Sequence, residues 1–412
     1  MLARLQQSQA GAPQPEKEHA FWKTQPVLQT LAEQKKVSED GPLEPNRAPS
    51  EIRQAPYKLP EGYEWVEIDV LDEGEMDEVC KFLLDNYVED ADGTFRFGYP
   101  KEVLEWALKP PGWKKFWHIG VRITSSRRLV AFISGIPAHL TVNASVLPIV
   151  EINFLCVLKR LRSIRMAPVL IKEITRRCNL EGIFQAMYTA GTDLPGAISR
   201  CRYWHRPLQV EKLLDVGFSY LGKDETVSGR VEKLALKKVL IPLPGLRPMT
   251  AEDVPAVTSG LNAYLRNFQV APVFSEEEVA HWFVPRDRVV YSLVVENDEG
   301  IESFVSFYRI PSSVLNHDKY TELNAAYSFY YFYPVDQTDP VANQKRLETL
   351  MYGALTVAKE TGHDVFNALE LMENPGILSG LNFSKGDGVL NYYLYNWRCK
   401  PVDGTQMASV LM

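Results

Sequence analysis

The chain shows no regular alternation of apolar and polar positions until about Tyr63. Residues 1–18 are polar and small, which predicts a disordered leader. Residues 34–60 hold Pro42, Pro45, Pro49, Pro56 and Pro60, a spacing that interrupts any helix. An extended arm over 19–60 is therefore predicted. Its plain reading is a linker; its functional reading is a strap over a ligand. From Tyr63 the pattern becomes regular. Val66, Ile68 and Val70 alternate with Glu67 and Asp69 and predict a strand. Asp72 and Glu75 have the spacing of a capping box, and Val79, Phe82 and Leu83 mark one face of a helix to about Asn86. Residues 116–124 and 129–134 read as a hairpin turning at 125–128. Residues 147–157 form another apolar, β-branched run, Pro168 marks a helix start for a helix to about Cys178, and 183–189 read as a strand.

The second half repeats this order. Leu246 to Thr250 lead into Asp253 and a helix to about Asn267. Residues 289–296 and 301–309 form a hairpin around Asp298-Glu299-Gly300; 325–333 is an aromatic-rich strand, 346–361 a helix and 364–369 a strand. The repetition predicts an α/β chain of two similar halves, 61–240 and 241–412. They differ at one place. After its long strand the first half has Arg160, Arg162 and Arg165, whereas the second has Val335-Asp336-Gln337-Thr338-Asp339-Pro340. Guanidinium groups between a strand end and a helix N-terminus, where backbone N–H groups are unpaired, suit a pyrophosphate. A solvated basic loop is the plainer alternative.

Composition narrows the field. The chain is 45% hydrophobic and 11% aromatic, enough for a large core and apolar pockets. A net charge of −7 argues against general nucleic-acid binding. Five widely spaced cysteines without a CxxC pair suggest reduced thiols, neither a disulfide framework nor a zinc site; no metal is expected. The most apolar stretch, residues 129–142, is interrupted by Gly135 and Pro137, so no membrane span is expected. The N-terminus lacks a signal-peptide pattern, and Leu2 excludes a myristoylation signal on the chain itself.

The loop Arg162-Ser163-Ile164-Arg165-Met166-Ala167 resembles the acyl-CoA loop of the GNAT acetyltransferase fold, R/Q-x-x-G-x-G/A, with arginine in place of the first glycine. The strand before it, Glu151-Ile152-Asn153-Phe154-Leu155-Cys156-Val157-Leu158-Lys159, resembles the N-myristoyltransferase signature E-I-N-F-L-C-x-H-K. Asn382-Phe383-Ser384-Lys385-Gly386-Asp387-Gly388 matches part of a second signature, K-F-G-x-G-D-G. Further similar segments are Asn86 to Asp90, Arg162 to Arg177, Thr189 to Gly191, Cys201 to Arg206, Ala325 to Tyr330 and Tyr392 to Trp397. The resemblance covers the chain from about Phe21. Leu158 replaces the family histidine, Asn382 its lysine and Ser384 its glycine.

The resemblance implies two GNAT-like halves in pseudo-twofold arrangement around a saddle-shaped mixed sheet. It also implies a cytoplasmic monomer that moves myristate from myristoyl-CoA, a co-substrate with no prosthetic group beside it, to the N-terminal glycine of proteins. The main chain of Phe154 and Leu155 would form the oxyanion hole. Acyl-CoA contacts would come from Ala20, Phe21, Trp22, Phe154, Leu155, Cys156, Val157, Arg162, Ser163, Arg165, Met166 and Ala167. Peptide contacts would come from Tyr87, Asp90, Phe95, Phe97, Thr189, Gly191, Tyr203, His205, Tyr308, Ser312, Tyr327 and Asp387. The carboxylate of Met412 would be the base. Residues 406–412 end in apolar side chains, and burial would raise the basicity of a carboxylate there. Two rivals stand beside this reading: an acetyltransferase acting on amines, and a non-catalytic binder of acyl-CoA or lipidated peptides.

Overall fold

The computed structural model describes residues 19–88, 93–236, 243–315 and 317–412. The first half runs β1 (Tyr63–Glu67), α1 (Glu73–Asn86), β2 (His118–Ile123), β3 (Leu129–Val142), β4 (Ser145–Val157), α2 (Met166–Leu180), β5 (Ala186–Ala190) and β6 (Ala197–Pro207). The second runs β7 (Leu246–Pro248), α3 (Val254–Leu265), β8 (Val270–Pro272), α4 (Glu276–Phe283), β9 (Val290–Asn297), β10 (Gly300–Arg309), β11 (Ala325–Phe332), α5 (Pro340–Glu360), β12 (Val365–Leu369) and β13 (Ser384–Tyr395). The strands form one 13-stranded sheet in the order β1-β2-β3-β4-β5-β13-β6-β12-β11-β10-β9-β7, with β8 paired to β3.

The order is nearly a mirror. In each half a hairpin leads to a strand that is followed, across a helix, by a parallel partner: β4 with β5, and β11 with β12. The last strand of each half then crosses over. β13 pairs with β5 of the first half, β6 pairs with β12 of the second, and β6 and β13 pair with each other. Two like halves thus share one mixed sheet, the α/β fold expected from the sequence.

Local chemistry explains most boundaries. Asp72 caps α1, accepting from the Glu75 N–H at 2.9 Å, but the Glu75 carboxylate reaches the Asp69 N–H instead of closing the box on Asp72. β3 does not break at Gly135 and Pro137. Pro137 falls between Ser134, where β2 ends, and Leu140, where β8 begins, so its missing N–H removes no ladder bond on that edge. A Cβ on Gly135 would lie 2.7 Å from the Val150 side chain, so glycine leaves the room that Val150 of β4 occupies. α2 starts at Met166, two residues before Pro168, behind Arg165 in the left-handed region. α5 starts at Pro340 instead of Arg346, because Asp339 caps it through the Ala342 N–H and proline suits the first turn. No described helix is long and apolar enough to cross a membrane.

The arm is pinned to the body. Asn396 N–H donates to Pro26 O, Gln34 donates to Ala197 O, and Glu173 of α2 accepts from the Tyr57 N–H. Trp22 stacks on Tyr188 of β5 at 5.4 Å, and Tyr188 stacks on Tyr393 of β13 at 5.0 Å. The leader, residues 1–18, lies outside the described residues.

Candidate active site

β4 and β5 share only three paired positions, Val150–Ala186, Glu151–Met187 and Ile152–Tyr188. Beyond them the strands separate, and a cavity of about 460 Å³ opens at the fork. One part is apolar. Val150 and Ile152 of β4, Ile171, Ile174 and Cys178 of α2, and Ile183 line it. The other part is aromatic: Tyr87, Phe97, Tyr99, Tyr203, Tyr308 and Tyr327. Burial raises all five phenols above their ordinary range, so they serve as neutral hydrogen-bonding groups and not as bases.

The two parts meet at Phe154. Between the pairs Ser134–Asn153 and Phe132–Cys156, the two residues Phe154 and Leu155 stand opposite Ile133 alone. This is a β-bulge, and Phe154 takes a φ of +56° to make it. A bulge withdraws backbone groups from the ladder and re-aims them. Its ring is 1% exposed, packed edge-on to Tyr99 at 5.1 Å and tilted to Tyr87 at 5.9 Å.

The C-terminal segment reaches the same point from the other half. Ala408 N–H donates to Val270 O, Met372 N–H to Met407 O, and Val410 N–H to the Tyr330 hydroxyl at 2.9 Å. Met407, Ala408 and Ser409 are wholly buried. Met412 lines the cavity, and the Asn153 carboxamide, assigned the orientation that turns its nitrogen toward them, donates to the Met412 main-chain oxygen at 3.1 Å and to Ile152 O at 3.2 Å.

The predicted residues divide clearly. Trp22, Phe154, Leu155, Tyr87, Phe97, Thr189, Gly191, Tyr203, Tyr308, Tyr327 and Met412 line the cavity. Ala20, Phe21, Cys156, Val157, Arg162, Ser163, Arg165, Met166 and Ala167 lie off its wall. Cys156 is buried, and burial pushes its thiol up to about 12, so it is not a nucleophile. Arg160, Arg162, Ser163 and Arg165 are all exposed around the uncapped start of α2, and Arg162 is tied down by donating to Val157 O and Asn86 O. Phe95 packs on Phe218. Ser312 is fully buried, with its hydroxyl unpartnered among the described residues. It sits in a small sheet that pairs it with Phe97. His205 lies off the wall. Its Nδ1 is 2.7 Å from Asn367 Oδ1, its Nε2 has no partner among the described residues, and burial lowers it to about 3. Asp387 is exposed, and Asp90 lies outside the described residues.

Sequence reasoning missed Asn153 as an anchor, Tyr99, Leu411, and the wall supplied by α2 and residues 183–188. A signal existed for α2: Ile171, Ile174, Thr175 and Cys178 follow the i, i+3, i+4, i+7 spacing of one helix face. Nothing in that spacing tells a face that lines a cavity from one that packs solid.

The profile described as Myristoyl-CoA:protein N-myristoyltransferase, N-terminal domain, matches residues 42–201, and that of the C-terminal domain matches residues 215–410. Glycylpeptide N-tetradecanoyltransferase 1 of Arabidopsis thaliana is 48% identical over 402 residues, 97% of this chain and 89% of that protein. Glycylpeptide N-tetradecanoyltransferase 2 of Bos taurus is 48% identical over 394 residues, 95% of this chain and 76% of that protein. The crystal structure of Saccharomyces cerevisiae N-myristoyltransferase with bound myristoyl-CoA superposes with a TM-score of 0.90 at 43% identity, covering 97% of this chain and 92% of that one. With both domain profiles matched and the fold shared over nearly its whole length, this chain belongs to the myristoyl-CoA:protein N-myristoyltransferase family of acyltransferases.

Proposed function

We propose that the protein carries myristate from myristoyl-CoA to the N-terminal glycine of proteins, by direct attack of the amine on the thioester. The observation that carries this reading is one cavity in which an apolar arm and an aromatic arm meet at the Phe154 bulge, with Met412 beside it. The apolar arm suits an acyl chain, for which each buried methylene contributes about 0.8 kcal/mol. The exposed Arg160, Ser163 and Arg165 around the open N-terminus of α2 suit the phosphates.

The amine arrives protonated, its ordinary value being about 8. The Met412 carboxylate takes one proton. The nitrogen then bonds to the carbonyl carbon, and the oxyanion is held by the main-chain N–H groups of Phe154 and Leu155. The C–S bond breaks with its electron pair going to sulfur. The second proton from nitrogen ends on the coenzyme A thiol, and the first passes to solvent. Asn153 fixes the base. The crowded aromatic arm selects glycine, because a Cβ on the first residue would meet its walls. The cytoplasm, which holds coenzyme A thioesters and keeps thiols reduced, suits a chain whose five cysteines are all unpaired.

Release of coenzyme A from myristoyl-CoA is expected with a glycine-first octapeptide and not with its alanine-first counterpart. Binding of myristoyl-CoA without release from either peptide would overturn the transfer and leave a binding protein.

A further inference from the structure

The stretch from Ile183 to Leu194 lines the cavity almost without a break. Its middle is strand β5, fixed by ladders to β4 and β13. Its last part is the loop 191–196 between β5 and β6, and Gly191, Thr192 and Leu194 of that loop are cavity wall. Among the described residues no main-chain hydrogen bond holds 191–195. A wall without a ladder keeps one shape only if side chains hold its main-chain groups.

Two side chains of β13 do so. Asn391 Nδ2 donates to Ala190 O at 3.1 Å and to Thr192 O at 3.3 Å. The Tyr393 hydroxyl donates to Thr192 O at 3.2 Å and accepts from the Leu194 N–H at 2.9 Å. Burial keeps that phenol protonated, as the bond to Thr192 requires, since a phenolate has no proton to donate. The remaining tie, Arg200 to Asp193 at 2.7 Å, is exposed on both sides and holds weakly. At its far end the loop meets the arm. Gly196 has a φ of +84°, and a Cβ on it would lie 2.7 Å from Leu28 O. The loop is thus clamped between β13 and the arm.

The ring of Tyr393 faces a different task. It stacks on Tyr188 at 5.0 Å, and Tyr188 stacks on Trp22 at 5.4 Å. Trp22 and Tyr188 are cavity wall, whereas Tyr393 is wholly buried behind it.

We propose that Tyr393 is the positioning residue that joins the two arms of the cavity: its hydroxyl sets the loop against which the substrate peptide lies, and its ring backs the stack on the acyl side. The inference deepens the proposed transfer and rests on its reading of Thr189 and Gly191 as peptide contacts. A loop already set in place spares the peptide the cost of ordering it. That gain is the same in the ground state and in the transition state, so its loss raises KM and leaves kcat.

The test measures KM for the glycine-first octapeptide, kcat, and calorimetric affinity for a non-hydrolysable myristoyl-CoA analogue. It compares the unaltered protein with Tyr393→Phe and Tyr393→Leu. Tyr393→Phe keeps the stack and loses both loop bonds. Its peptide KM is expected to rise roughly 5- to 10-fold, with kcat and analogue affinity unchanged. Tyr393→Leu also removes the ring, and is expected to weaken the analogue roughly 2- to 10-fold as well. A merely structural role would lower the active fraction, and so the apparent kcat, without moving KM. A peptide KM unmoved in Tyr393→Phe overturns the inference; should that variant not fold, an unmoved KM in Tyr393→Leu does so. Unchanged analogue affinity in Tyr393→Leu overturns the part assigned to the ring. The unaltered protein separates the two readings. If it releases no coenzyme A with the glycine-first peptide, the transfer itself fails. If it does while the variants match it, only the role of Tyr393 falls.

Discussion

At the scale of single residues, Phe154 holds a left-handed backbone conformation that costs a non-glycine residue about 1–3 kcal/mol. Its buried ring, gripped by Tyr87 and Tyr99, offsets that cost and keeps the bulge in one place. The signature run pointed to Phe154 and Leu155, but its alternation reads as a plain strand, and a positive φ leaves no trace in hydrophobic pattern. Tyr330 does similar work for the C-terminal segment, since its hydroxyl is the acceptor for the buried Val410 N–H. Tyr330→Phe strands that donor, at about 1–3 kcal/mol. Urea unfolding is expected to show that loss, with kcat falling as Met412 loses its placement and myristoyl-CoA affinity holding.

At the scale of elements, the arm and the fork decide what the cavity can hold. Prolines announced an extended arm; the structure corrects this with a short helix, Leu31–Lys35, which Thr30 and Glu33 cap, and fixes the arm's course through the stack Trp22–Tyr188–Tyr393 and the Tyr395 hydroxyl, which donates to Gln25. Trp22 and Tyr188 are both cavity wall, so the stack couples arm to ligand. Trp22→Ala removes a ring contact of about 0.5–1.5 kcal/mol, which corresponds to roughly 2- to 10-fold weaker binding. Calorimetric titration with a non-hydrolysable myristoyl-CoA analogue should show that loss while the melting temperature barely changes. An unchanged affinity would make the arm a linker after all. The basic loop was legible as a candidate anion site, but the hydrogen bonds that tie Arg162 to Asn86 and Val157 were not. The Asn86 carbonyl belongs to α1, 76 residues away in sequence.

At the scale of the whole molecule, Glu173 ties the first half together. It is fully buried, accepts from Arg176 and Arg177 of its own helix and from the Tyr57 N–H of the arm, while Arg177 also reaches Glu67 of β1. Burial alone would raise its carboxyl, but the hydrogen bonds from Arg176 and Arg177 outweigh that and hold it below the ordinary range. The unfolded chain therefore binds this proton more readily than the folded one. The stabilisation is complete above about pH 4.3, the unperturbed value, and is lost as pH falls through the lower folded value. Glu173→Ala leaves the buried Arg176 guanidinium without a carboxylate and Arg177 with Glu67 alone, and is expected to cost about 3–5 kcal/mol near neutrality. Urea unfolding across pH should show the variant and the unaltered protein converging at low pH; a constant gap would refute this account.

The sequence by itself determined the repeated order of strands and helices, the difference between the basic loop and its counterpart, and the family, because periodicity, caps and motifs are local. β6 and β13 were visible only as family-like segments, and their exchange between the halves was not visible at all. The tertiary structure alone decided that β4 and β5 part after three rungs, that one face of α2 lines a cavity, and that residues 407–411 are buried in the second half and bring Met412 to Asn153 of the first. Each of these depends on which faces meet, and a pattern of polar and apolar positions states that a face is buried without naming what covers it.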